Sequence, residues 1–492
     1  MTKRMLAILL VLVMVLALAA CGSSGSATGE TNGADANGGT TAGAAATGDL
    51  MVGYARVNIT PNYSVPLAGY GNTSMRMSQG FQTYLLSTCI VYSDGEDTVV
   101  VFQNDLSGAN KTIVDNVRQK INKKYDIPED HIMISGTHTH SAPDVGNASE
   151  PSIGQYRQDL IKWMVEAFEA AYGNMAPVTA MYHGTKVCEN LNFVRHYTTE
   201  AGIVKGDNLN DLVNSPYTGH THDADNLMQV VRIDREGADD IILANWQSHP
   251  HRGGGSKNYN MTADIVGVMR DYVEKNVDGV QFMYFTGASG NLNPSSRISE
   301  ENITKDYWEQ GDALGKHAIS ILEGDMTKLE GTNVQITGQY YTGKTDHRED
   351  NLVVLAHEVA ALWKETNDFL KCCELANSYG MNSPYHANAV ISKASLGDTY
   401  DVEMYAYSVG DLGFVTAPYE MFDTQGVTIK EESPFGATFV VTCCNDALGY
   451  IPSMEGFDNN TYEANNGKFM PGTGEALADE YVKMLETLYA TK

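Results

Sequence analysis

Two short histidine pairs carry the densest chemistry in this chain. His138 and His140 stand in "ISGTHTHSAPD" (Ile134 to Asp144), and His249 and His251 flank a proline in "NWQSHPHR". Neutral imidazole is the commonest metal ligand, and zinc takes nitrogen and oxygen donors in tetrahedral geometry. In extended backbone, residues i and i+2 point to one face, so each pair can aim both rings at one spot. Pro250 biases His249 towards an extended shape, which helps to aim that ring. Glu420, in "APYEMF", is an acid among apolar residues, and a buried carboxylate needs a partner charge or a cation. Each feature has an ordinary alternative: histidines end strands, glutamates pair with arginines, and most of the 27 tyrosines fill cores. Their joint placement, each just after an apolar run, points to a metal centre.

Other polar clusters sit at similar places. "TGASGNLNP" (Thr286 to Pro294) is short-chained and glycine-rich, a composition that can turn backbone N–H groups towards an anion or oxyanion. It is not a GxSxG elbow. No P-loop, Rossmann glycine motif or HExxH is present. "NFVRHY" supplies Arg195, able to clamp a carboxylate or polarise a carbonyl.

The elements that must position these residues alternate apolar β-branched runs with helical stretches. "DTVVVFQND", "HIMISG", "DIILANWQS", "VQFMYFTG", "EMYAYSVGDLGFVTAP" and "ATFVVTCC" read as strands, and "SVGDLGFVT" as a hairpin turn. Helices are expected at 109–125, 153–173, 262–276, 303–323, 350–373 and 475–490. Strands both alternating with helices and arranged in hairpins make a mixed α/β fold of layered sheets with flanking helices. No linker divides residues 50–492, so they are expected to form one large catalytic domain. The polar clusters follow strands, where open sheets gather their sites.

Composition narrows the class. With 42% hydrophobic and 19% charged residues the chain is globular, and a net charge of −28 excludes nucleic acid or an anionic membrane surface as the main partner. "MTKRM" followed by "LAILLVLVMVLALAA" is a basic start and a short apolar core, a secretory signal over residues 1–20. Its ending "LALAAC" looks like a bacterial lipoprotein processing box. Cys21 would then be the lipidated first residue of the mature chain, held on the outer face of the cell membrane. Residues 21–49, almost all Gly, Ser, Ala, Thr and Asn, have nothing to bury and form a flexible tether. Cys89, Cys188, Cys372, Cys373, Cys443 and Cys444 remain, with disulfides and buried thiols both open.

Taken together, "VGYARVNITP", "LAGYGN", "THTHSAPD", "NFVRHY", "NWQSHPH", "SGNLNP", "TAPYEMF", "ALGYIPS" and "TYE" resemble the neutral/alkaline (non-lysosomal) ceramidase family. The resemblance implies a zinc-dependent hydrolase of N-acyl amide bonds, with sphingolipids as the family's substrates. It implies His138, His249, Glu420 and Tyr450 as zinc ligands. His140 would relay protons, Arg195 and Tyr462 would steady the oxyanion, and Gly69 would offer a backbone donor near the reacting oxygen. Tyr462 keeps the family's spacing of twelve residues after the ligand tyrosine. Two features depart from the pattern. The family's "GDxSPN"-like loop places its nucleophilic serine where this chain has Asn293, and its aspartate where this chain has Asn291. The sequence also holds no counterpart of the family's C-terminal immunoglobulin-like domain. A zinc-activated water is therefore the expected nucleophile, acting on an amide or an ester. The rival expectation is a non-catalytic or degenerate metal-binding lipoprotein, such as a solute-binding receptor.

Overall fold

In the computed structural model, the described residues are 49–492 except 71–75, 208–214 and 254, with the side chain of Ser256 also left aside. The signal segment, Cys21 and the tether up to residue 48 lie outside them. The described residues fall in one compact unit. No described helix is long and apolar enough to cross a membrane.

One succession of elements occurs three times: three antiparallel strands, a crossover helix, a fourth strand parallel to the third, and a closing helix. First come strands Met51–Asn58, Leu86–Ser93 and Thr98–Asn104, helix Lys111–Tyr125, strand Ile132–Gly136 and helix Pro151–Gly173. Next are strands Ala176–Val187, Leu227–Arg235 and Asp240–Trp246, helix Asp264–Asn276, strand Val280–Thr286 and helix Tyr307–Leu322. Last are strands Val334–Lys344, Thr399–Val409 and Leu412–Thr416, helix Asp423–Glu432, strand Ala437–Val441 and helix Thr473–Ala490. A parallel pair requires a crossover connection, which is why each helix stands between the third and fourth strands.

The first two units join edge to edge through Met51–Asn58 and Ala176–Val187, and the short strand Thr327–Leu329 pairs beside the latter, giving one nine-stranded sheet. The third unit forms a four-stranded sheet of its own. "TVVVFQN" shows how the layers arise. Val99 and Val101 face the core between the two sheets, and Val100 and Phe102 face the helices behind. Being covered on both sides explains a continuous apolar run rather than an alternating one. The layers therefore run helices, large sheet, small sheet, helices.

Two local signals decided element ends. Gly410, at φ +55°, makes the two-residue turn between Thr399–Val409 and Leu412–Thr416. The expected helix 350–373 is divided. It ends at Asn367 in the left-handed region, and Asp368 caps a new helix, Phe369–Ser378, by accepting from the Lys371 N–H. With Pro384–Lys393 these helices pack on their own core of Ala356, Val359, Trp363 and Ala376. The six described cysteines are all buried, and no disulfide joins any two of them.

Candidate metal centre and active site

The third and fourth strands of each unit end at one edge of their sheet, and the chemistry begins there. Ile132–Gly136 runs into His138, Asp240–Trp246 into His249, and Leu412–Thr416 into Glu420. The long connections between first and second strands, 59–85 and 188–226, bring in Gly69 and Arg195, and 345–398 brings in Tyr385.

His138 does not sit in extended backbone. Its φ of +67° lies in the left-handed region, so simple alternation with His140 is not what makes the rings converge. A histidine held there is strained, and the strain is fixed by its surroundings. Its backbone N–H donates to the Leu106 carbonyl at 2.9 Å, and its Nδ1 donates to the Ser107 carbonyl at 2.6 Å. His249 is anchored likewise: Nδ1 donates to the Leu292 carbonyl at 2.9 Å. The His140 N–H donates to the Pro250 carbonyl at 3.2 Å, tying the two histidine loops together.

These anchors fix the tautomers. A carbonyl only accepts, so the proton of each ring sits on Nδ1 and the Nε2 lone pair faces inward. Both inward lone pairs meet the same carboxylate oxygen, Glu420 Oε2, at 3.2 Å from His138 and 3.1 Å from His249. Three acceptors turned on one point repel unless a proton or a cation sits among them. Metal–donor bonds of ~2.0–2.1 Å at tetrahedral angles separate donors by about 3.3 Å, so the spacing fits an ion. His140 Nε2 lies 3.4 Å from His138 Nε2, and His138, His140 and His249 form a group able to hold a metal. The His140 Nδ1 is buried and has no partner among the described residues.

Without a metal, protons occupy this cluster. Burial opposes a charge on His138, but the Cys443 sulfur and the Glu420 carboxylate overcome it and raise its pKa well above normal. Burial would raise Glu420, yet His138 and His249 hold it well below the usual carboxylate range. Burial, reinforced by the Arg195 charge, pushes His249 down to about 3. Burial, then the charge of His138, depresses His140 as well.

Tyr450 is the parallel-ladder partner of Glu420, and the Glu420 N–H donates to the Gly449 carbonyl at 2.9 Å. Burial, then the Glu420 charge, pushes its phenol well up. Arg195 lies 5.3 Å from the Tyr450 ring centroid. Tyr462 meets Tyr450 edge-on at 5.8 Å. Gly69 packs on His140: a Cβ there would lie 2.3 Å from His140 Cβ. Asn293 lies beside the histidines, its Oδ1 3.0 Å from His251 Nε2 and its Nδ2 donating to Asp207.

The glycine-rich loop differs from expectation. The N–H groups of Gly287, Gly290 and Leu292 are spent on the carbonyls of Trp246, Met421 and Ser289. A Cβ on Gly290 would lie 2.7 Å from the Glu420 carbonyl. The loop holds the Glu420 strand in place rather than offering these groups to an anion. Three participants lacked a sequence signal: Glu463, which grips Arg195; Asp207, which fixes Asn293; and Cys443, whose sulfur lies 3.4 Å from His138 Nδ1. Only adjacency to Tyr462 in "TYE" hinted at Glu463.

No family model matches the sequence. Among solved structures, the neutral ceramidase from Pseudomonas aeruginosa superposes with a TM-score of 0.66 over 90% of this chain and 74% of that one, at 15% identity. A ceramidase complexed with C2 gives a TM-score of 0.65, covering 90% of this chain and 76% of that one, at 14% identity. The fold is that of the neutral ceramidases. So low an identity carries architecture and not chemistry.

Proposed function

We propose that the protein is a lipid-anchored, extracytoplasmic zinc hydrolase that cleaves N-acyl amide bonds, with esters as a second class of substrate. The observation that carries this is the meeting of the His138 and His249 lone pairs on one oxygen of Glu420. The ceramidase-like fold supports the reaction type, and the two solved ceramidases suggest a lipid-like amide. A zinc ion held by His138, His249, Glu420 and Tyr450 would polarise the substrate carbonyl and bring the pKa of water towards about 7.

The protein's own groups do the rest. Asn293 supplies no nucleophile: its amide has no proton-bearing oxygen, and both its ends are already bonded. We take water, rather than the nearby Ser289 or Ser295, to be the attacking group. His140, whose Nδ1 has no partner among the described residues, is placed to carry a proton between water and the leaving amine. Arg195 lies over the Tyr450 ring, and Tyr462 packs edge-on against it. Gly69 lets the chain lie directly on the His140 ring. The leader, Cys21 and the tether support membrane anchoring from outside the cell. The test is a screen of N-acyl amides and esters with and without chelator. Chelator-sensitive turnover of an amide is expected. Ligand binding without turnover would instead favour a receptor lipoprotein.

A further inference from the structure

We propose that Glu463 sets the charge of substrate this site accepts: by neutralising Arg195 from within, it reserves the site for uncharged amides and turns away carboxylate-bearing ligands. The inference rests on the hydrolase reading and adds the substrate's charge to it.

A guanidinium beside a metal centre would ordinarily make a carboxylate receptor, because its fork binds carboxylates through two parallel hydrogen bonds. Here the protein itself pairs the charge and takes part of the fork. Arg195 Nε donates to Glu463 Oε1 at 2.5 Å, Nη2 donates to the Gly290 carbonyl at 2.8 Å, and the guanidinium lies over the Tyr450 ring, 5.3 Å from its centroid. The second Glu463 oxygen lies 2.8 Å from His196 Nε2. Arg195, His196 and Glu463 are 3%, 1% and 1% exposed, so water does little to screen the pair. Burial alone would keep Glu463 protonated, but Arg195 and then His196 hold its carboxyl well below the usual range. Tyr462 and Glu463 open the short helix Tyr462–Asn466, the first reaching Tyr450 and the second reaching Arg195. Amide hydrolysis produces a carboxylate, and a guanidinium whose charge is already paired with Glu463 retains it less strongly.

The experiment uses the zinc-loaded full chain and two probes of one shape, hexanoate and hexanamide, titrated calorimetrically. Glu463→Gln removes the charge and keeps a hydrogen-bonding side chain. It should bind hexanoate about tenfold more tightly, the scale of one charge-assisted hydrogen bond, with hexanamide unchanged within about twofold. The double variant Arg195→Met, Glu463→Gln should lose that gain. Glu463→Asp, which keeps the charge but draws it back, should shift hexanoate in the same direction by less, and it decides the matter if the Gln variant does not fold. A hexanoate-to-hexanamide ratio unchanged from wild type, or equal tightening of both probes, overturns the role of Glu463 alone. A wild type that binds neither zinc nor hexanamide overturns the hydrolase reading and this inference with it.

Discussion

Gly69→Ala gives a prediction whose size follows from the geometry. The new methyl carbon would lie 2.3 Å from His140 Cβ, 2.5 Å from Cγ and 2.6 Å from Cα, all close to the backbone and unable to swing aside. Ordinary contact begins at 3.4 Å, so His140 or the Gly69 backbone must retreat by about 1 Å, a displacement that costs on the order of 100-fold in rate at a catalytic group. Gly69 also has φ +112°, a conformation that costs a non-glycine residue about 1–3 kcal/mol. The assay is kcat on the best amide from the screen, with zinc content and thermal unfolding measured on the same preparation. Activity should fall by about two orders of magnitude, while zinc content stays near wild type, because His138, His249 and Glu420 are anchored elsewhere. Activity within about threefold of wild type in a folded variant would refute the claim that His140 must sit where it does.

Further predictions follow from the same contacts. Asn293→Ala should retain activity within about tenfold while losing about 1–3 kcal/mol of stability from its two bonds, to His251 and Asp207; complete inactivity in folded protein would make Asn293 a direct participant. His222 lies between Asp423 and Glu455, and although burial opposes its charge, these acids raise its pKa to about 9. Its stabilisation is fully present below about pH 6.5 and is lost as pH rises through about 9. Urea titrations from pH 6 to 10 should therefore show wild type losing more stability than His222→Gln, and parallel curves would count against the ion pairs. A metal must displace the proton held between His138 and Glu420, so apparent zinc affinity should rise about tenfold per pH unit where that proton is bound. Affinity independent of pH would remove His138 from the binding set.

The large strands were legible because burial on both faces writes continuous apolar runs such as "TVVVFQN" into the sequence. The threefold order of elements was not, since what recurs is connectivity and packing rather than residue identity. The break at Asn367 was hidden in a helical pattern because a left-handed asparagine and a capping aspartate occupy only two positions. The two histidine pairs announced themselves by type and spacing. The reason they converge lay elsewhere, in a left-handed His138 fixed by backbone carbonyls. Partners such as Glu463 were out of reach because they act across the fold, 268 residues from Arg195.

The central claim is that His138, His249 and Glu420 together hold one metal ion. Elemental analysis of purified protein, wild type beside His249→Ala and Glu420→Ala, tests it most directly, with circular dichroism to confirm folding. Wild type should carry about one equivalent of zinc and each variant less than about a fifth of that. A zinc-free wild type that gains none from added zinc, or a folded Glu420→Ala protein that keeps its full equivalent, would contradict the account.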